Sequence, residues 1–233
     1  PLYSSAASDV YKRQGLVMQY AIGQTTNATR KAIANLYYRS VRILRAVEVG
    51  ETIKTSTTVL GLADSKPKGD QHRGKVWLGI ETSGDNGLIT QYERCALVAS
   101  RAGSPGHSAQ IPGPSDPAPL EDLAPLTPSW DMSSSPTTPW ELNEIRSDAM
   151  RDHIDLAPSL ARMTFNQAFV HRDGLASIYG KRLVYGGHVQ GLAQASLTRV
   201  LPGLAAVVAW DGCDHIGPAF EGDPVSYTHL RAH

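Results

Sequence analysis

Cysteine, phenylalanine and net charge are all scarce in this chain. Cysteine occurs only at Cys95 and Cys213 in 233 residues. That supplies neither a disulfide framework nor metal-ligand spacing, so both are expected as free buried thiols and no metal site is expected. Lys plus Arg and Asp plus Glu each number 22, so no strong field favours nucleic acid or an anionic membrane. No apolar run approaches the roughly 20 residues that a membrane helix needs, and the N-terminus lacks the charged-then-apolar layout of a signal peptide. The expected setting is the cytoplasm, without nucleic-acid or membrane partners. What the chain does have is 41% hydrophobic residues against 19% charged, enough to bury the core of one large or two small domains.

Both ends differ in character from the middle. Residues 1–14 (PLYSSAASDVYKRQ) and 225–233 (VSYTHLRAH) resemble translated sequencing-adaptor read-through and are set apart as non-native. The remaining segment, 15–224, is expected to be truncated at both ends. Within it, Gly15 to Ile22 reads as the tail of a buried helix, with Gly23 as its C-cap. The run from Ala32 to Val47 and that from Ile53 to Leu62 read as strands around a bend at Gly50-Glu51-Thr52. Ser65 to Gly74 reads as a loop. Val76, Leu78 and Ile80 alternate as in a strand, and Asn86-Gly87 suits a type I′ hairpin turn into a return strand from Leu88 to Ala99. An antiparallel meander wrapped around the helix follows from this order.

From Arg101 to Trp140 the composition shifts to Pro, Ser, Gly and Asp, which excludes regular structure and marks a linker. Trp130 and Trp140 within it are expected to dock it onto a domain surface. Glu141 to Met163 reads as one or two helices. A second helix, from about Gly187 to Leu201, leads into the β-rich LAAVVAW and then Phe220-Glu221-Gly222-Asp223. The order helix, strand, Gly-acid turn thus occurs twice, as in an internal repeat.

The stretch from Asn166 to Leu201 carries the chemistry. His171 sits in a polar loop, and a histidine with an ordinary pKa near 6.5 suits a general base. Gly186 and Gly187 open the second helix, where unpaired N–H groups at the positive end of the dipole can stabilise an oxyanion. Asn166 can hydrogen-bond water or substrate but exchanges no proton. Asp214, in the cluster Cys213-Asp214-His215, and Asp173 are alternative sources of a carboxylate. Lys181 and Arg182 either meet a phosphate-bearing ligand or form a solvated charged pair. The small residues Gly191, Ala193, Ala195 and Ser196 are expected to serve helix packing.

The motifs NQAFVH, RLVYGGH and FEGD in the second half, with KAIANLYY, VEVGETIKTSTTVLGL and ERCALV in the first, resemble the MaoC-like acyl-CoA dehydratases and hydratases. Within them the chain is most similar to the double hot-dog proteins of the mesaconyl-CoA hydratase type. The resemblance implies an α+β tandem hot-dog fold, each half a helix wrapped by an antiparallel sheet. Residues 15–100 would be the C-terminal part of the first hot-dog, 101–140 the linker and 141–224 the N-terminal part of the second. It implies reversible addition of water to an enoyl-CoA, with no cofactor beyond the coenzyme A thioester substrate, and a homodimer when full length. His171 falls at the family's catalytic His, Gly186 at the glycine whose N–H holds the thioester oxygen, and Asn166 at the position of the usual Asp. The partner acid is left open between Asp214, Asp173 and a residue outside the chain. A hot-dog thioesterase and a non-catalytic acyl-CoA-binding protein are the alternatives.

Overall fold

The computed structural model describes residues 14–101, 103–114, 118–126, 131, 133 and 139–232; Trp130 and most of the N-terminal segment 1–14 lie outside them. Helix α1 (Gln14–Thr25) leads into strands β1 (Ala32–Ile43), β2 (Lys54–Lys68), β3 (Gln71–Gly84) and β4 (Gly87–Ala99). Helix α2 (Leu120–Leu123), short strands β5 (Ile145–Ser147) and β6 (Asp152–His153), and helix α3 (Ala157–Met163) follow. Helix α4 (Gly186–Val200), strand β7 (Ala209–Asp214), and short strands β8 (Pro224–Val225) and β9 (Thr228–Leu230) complete the order.

The principal sheet has the order β2-β3-β4-β1-β7, and its pairs are antiparallel. Period-two alternation sends Leu78, Ile80 and Thr82 inward along β3, each at most 1% exposed. Met18, Ala21 and Ile22 of α1 pack there with Tyr38, Val41, Tyr92 and Tyr185. Complete burial of side chains of this size stabilises by about 1.5–3 kcal/mol each. Helix α4 lies beside α1: the Gln19 side chain donates to the Gly187 carbonyl at 3.0 Å, and a Cβ on Gly191 would sit 3.0 Å from Gln19 Nε2. Gly191 therefore serves close helix approach.

Several local expectations change. Gly23 is not a cap, because α1 runs on to Thr25; a Cβ there would overlap the Thr164 carbonyl oxygen, so the glycine admits a neighbouring chain. Ser65 to Gly74 is not a loop: β2 and β3 extend through it and meet at a tight turn, with Gly69 at φ 58°. Propensity gave Pro67 and the polar residues too much weight, since β2 is an edge strand and tolerates them. The turn at Asp85-Asn86 is not type I′, because Gly87 alone there has positive φ, at 98°. A register shift at Thr82/Ser83 accompanies it, the bulged hairpin geometry that follows a type I turn.

The linker contains α2 despite its prolines, and its stretch from Ser108 to Gly113 lies on the sheet, bridging Ala63 and accepting from Arg39 Nε at 3.5 Å. Trp140 docks locally, donating to the Glu144 carbonyl at 3.0 Å. Of Glu141 to Met163 only α3 is helical; the preceding residues are drawn out by pairing of β5 with β9 and β6 with β8, and by Arg199 binding Asp148 and Asp152. The β-rich LAAVVAW becomes strand only from Ala209. Residues 225–232, set apart above, pack into the fold, with Tyr227 7% exposed.

Candidate active site

Helix α3 ends in a double-bonded C-terminal turn. The Phe165 N–H donates to the Arg162 carbonyl at 3.1 Å and the Asn166 N–H to the Ala161 carbonyl at 2.9 Å, the pattern that closes a helix through a left-handed residue. That residue is Phe165, at φ 56°, a strained choice for a bulky side chain. The turn rests on α1 at Gly23 and delivers Asn166, which is 1% exposed. Its Oδ1 accepts from the Ala168 N–H at 3.0 Å and its carbonyl from Arg172 Nε at 2.9 Å. Asn166 therefore spends its side-chain oxygen shaping the loop.

His171 closes a short 3₁₀ turn, Phe169–His171. The excursion that follows is stitched back by the Leu183 N–H donating to the Val170 carbonyl at 2.9 Å. His171 Nδ1 lies 2.8 Å from the Leu183 carbonyl oxygen. A carbonyl only accepts, so Nδ1 carries the proton and Nε2 is left as a lone pair. Burial, with a smaller contribution from the Arg94 charge, pushes the imidazolium pKa down to about 4. The ring is 5.7 Å from that of Tyr185, the residue that precedes α4 and is 2% exposed.

The N-cap residue of α4, Tyr185, makes no side-chain capping bond. The His188 N–H returns to the Tyr185 carbonyl at 2.8 Å, while Gly186 and Gly187 donate to no acceptor among the described residues. The imidazole of His215 lies against Gly186, where a Cβ would overlap its Cε1. A Cβ on Gly187 would press on the Tyr185 ring at 2.8 Å. Both glycines are demanded by close approach.

Other expected groups lie elsewhere. Asp214 points away from the helix start and binds Arg39 at 2.5 Å on the opposite sheet face, since neighbours on a strand alternate; the inward side chain is His215. Asp173 caps the next 3₁₀ turn by accepting from the Leu175 N–H at 2.9 Å. Arg182 pairs with Glu221 at 2.8 Å, and Lys181 lies 3.8 Å from the Phe220 ring centroid. Sequence reasoning passed over Arg30 and Lys31, which with Phe169, Val170 and Ile178 line a cleft of about 240 Å³ beside the His171 loop. It also passed over Arg94 and Asn35, whose inward placement needs strand register to be seen.

The solved structure of RV0216 from Mycobacterium tuberculosis, described as a double hotdog fold, is 38% identical with a TM-score of 0.77, covering 91% of this chain and 67% of that one. The chain belongs to the same double hot-dog family. The beta-methylmalyl-CoA dehydratase of Chloroflexus aurantiacus is 28% identical to this double hot-dog chain, over 90% of it and 63% of the relative. The mesaconyl-CoA hydratase of Cereibacter sphaeroides is 28% identical over 83% of the chain and 59% of the relative. The double hot-dog chain thus spans about three-fifths of the curated relatives it matches. No family model matches it.

Proposed function

We propose that the protein is a hydro-lyase that adds water to, or removes it from, an enoyl-CoA thioester, with His171 as the base and the Gly186 N–H as donor to the thioester oxygen. The observation that carries this reading is the fixed tautomer of His171, whose uncharged Nε2 has no main-chain partner among the described residues while bare N–H groups open α4 nearby. In the hydration direction Nε2 takes a proton from water as the oxygen bonds to the β-carbon. The electron pair of the double bond moves through the α-carbon onto the thioester oxygen. The imidazolium then returns its proton to the α-carbon, the carbonyl re-forms, and the hydroxyacyl thioester is complete. A pKa near 4 makes His171 reluctant to take the proton and ready to return it, so one group serves both steps. That removes the need for a carboxylate at Asn166, Asp173 or Asp214, and stabilisation of the oxyanion becomes the larger contribution.

The cleft beside the His171 loop, with the exposed Arg30 and Lys31 in its lining, offers two cations to a phosphate-bearing carrier. The two curated relatives, one a methylmalyl-CoA dehydratase and the other a mesaconyl-CoA hydratase by name, favour a branched dicarboxylic acyl group. Residues 15–100 and 141–224 are parts of two hot-dog units joined by 101–140, a division supported by β7 entering the sheet beside β1. The full-length protein works as a homodimer, as the exposed Val59 and Leu60 on edge strand β2 suggest. It works in the cytoplasm, in keeping with its free thiols.

Enoyl absorbance with crotonyl-CoA and mesaconyl-CoA tests the reading. Loss of that absorbance without free CoA is expected, and His171→Ala should lower the rate by on the order of a hundredfold or more. Release of CoA without hydration would assign a thioesterase instead, and neither reaction would leave a binding protein. Sedimentation of the full-length protein tests the dimer.

A further inference from the structure

Arg94 is a cation in an apolar setting. It lies in a row across the inward face of the sheet, paired in register with Leu78 on one side and Tyr38 on the other, and it is 4% exposed. Its hydrogen bonds run to neutral oxygens, from Nε to Asn35 Oδ1 at 2.7 Å and from Nη1 to Thr25 Oγ1 at 2.9 Å. It forms no ion pair among the described residues. Burying an unpaired charge is costly, so its neighbours are held to a strict order.

A guanidinium nitrogen only donates, so the Asn35 atom that meets Arg94 must be the amide oxygen. The amide nitrogen of Asn35 is thereby turned toward His215, 3.4 Å from Nδ1. That nitrogen also only donates, so His215 Nδ1 is the lone pair and its proton sits on Nε2. Burial and then the Arg94 charge both oppose a second proton on the ring. The ring turns its Cε1 edge to Gly186, with Cε1 nearest to the point where a Cβ would stand, Nδ1 2.9 Å and Nε2 3.2 Å from it. Among the described residues Nε2 meets only Cys213 Sγ, at 3.8 Å, a weak acceptor that a thioester oxygen would outcompete. A proton-bearing, uncharged nitrogen is thus held against the start of α4 by residues of the first half of the chain.

We propose that the Nε2–H of His215 is a second catalytic donor, meeting the thioester oxygen beside the Gly186 N–H as charge develops there, with Asn35 and Arg94 as positioning residues that fix its tautomer. This rests on the hydratase reading above. A neutral imidazole suits the role because it donates a hydrogen bond to an enolate oxygen without giving up its proton. His171 and His215 then hold opposite tautomers, one offering a lone pair at Nε2 and the other a proton.

Two measurements on the full-length protein test this. Nitrogen-15 NMR of the imidazole rings reports the tautomer of His215, and steady-state hydration of mesaconyl-CoA and crotonyl-CoA reports its use. The wild type should show Nε2–H. Asn35→Asp offers His215 only an acceptor and should move the proton to Nδ1. His215→Ala and Asn35→Asp should each lower kcat by on the order of a hundredfold, with KM changed by less than about threefold. His215→Gln, which places an amide N–H near the same point, should recover about tenfold over His215→Ala. If Asn35→Asp fails to fold, the wild-type tautomer and the two His215 variants decide. A wild-type Nδ1–H, or a His215→Ala protein within about twofold of wild type while His171→Ala is inactive, would overturn the proposal and leave the hydratase reading standing. A wild type inactive on both thioesters overturns both.

Discussion

The His171 loop and the end of β7 present the same side chain to one helix start by opposite means. His171 is held by a main-chain carbonyl, which any residue at Leu183 would supply. His215 is held by the side chains of Asn35 and Arg94, which are replaceable one at a time. The first arrangement is local and tolerant of sequence. The second is distant and specific, so substitutions should separate the two.

The largest effect is expected from His171→Ala, which removes the proposed base and should lower kcat by on the order of a hundredfold or more, while the ring signal of His215 stays put. Next comes Gly23→Ala, which drives a methyl group into the Thr164 carbonyl and shifts the turn that delivers Asn166 and the His171 loop. Overpacking of this kind costs about 1–3 kcal/mol, readable as a lower thermal midpoint, with activity falling through His171 and not through His215.

The pH dependence sharpens the contrast further. A base must be uncharged, and the His171 pKa lies at about 4 instead of 6.5. The rate should therefore hold as pH falls through 6.5 and drop only as it nears about 4; a midpoint near 6.5 would mean an open, solvated ring. Stability runs differently. The unfolded histidine takes its proton near pH 6.5 and the folded one only near 4, so stability should decline as pH falls across that window, in urea midpoints compared between its two ends. Asp214→Asn should have the smallest effect, since its carboxylate is half exposed and faces Arg39 on the outer side. Less than about 1 kcal/mol of stability and no change in kcat are expected. A large loss of activity would return Asp214 to the site.

Much of the fold could be read from the sequence because its signals are local. The alternation of Val76, Leu78 and Ile80 named a strand, and Gly186-Gly187 before an apolar run named a helix start. What escaped depends on partners far along the chain. Gly23 looked like a cap because nothing nearby reveals that Thr164 presses on it. Asp214 stood out as a carboxylate source and His215 carried no role, because alternation fixes only that one of them faces inward, and pairing with β1 decides which. Arg94, inside ERCALV, drew no reading of its own, because only its register beside Tyr38 places it on the inward face. Phe165 gave no warning either, since a left-handed φ is usually announced by glycine; Phe165→Gly should raise stability by up to about 1 kcal/mol with activity unchanged.

The pairing of β1 with β7 has a kinetic consequence. It joins residues as far apart in sequence as Arg39 and Asp214, separated by 175 positions, whereas the β2–β3 and β3–β4 hairpins close over two-residue turns. Short loops close early, and long ones wait on a large entropy loss. A refolding chain should build its three-stranded meander first and seat β7 late. His215 would then reach the helix start among the last side chains to arrive, so catalytic competence should trail the recovery of strand signal in a refolding time course.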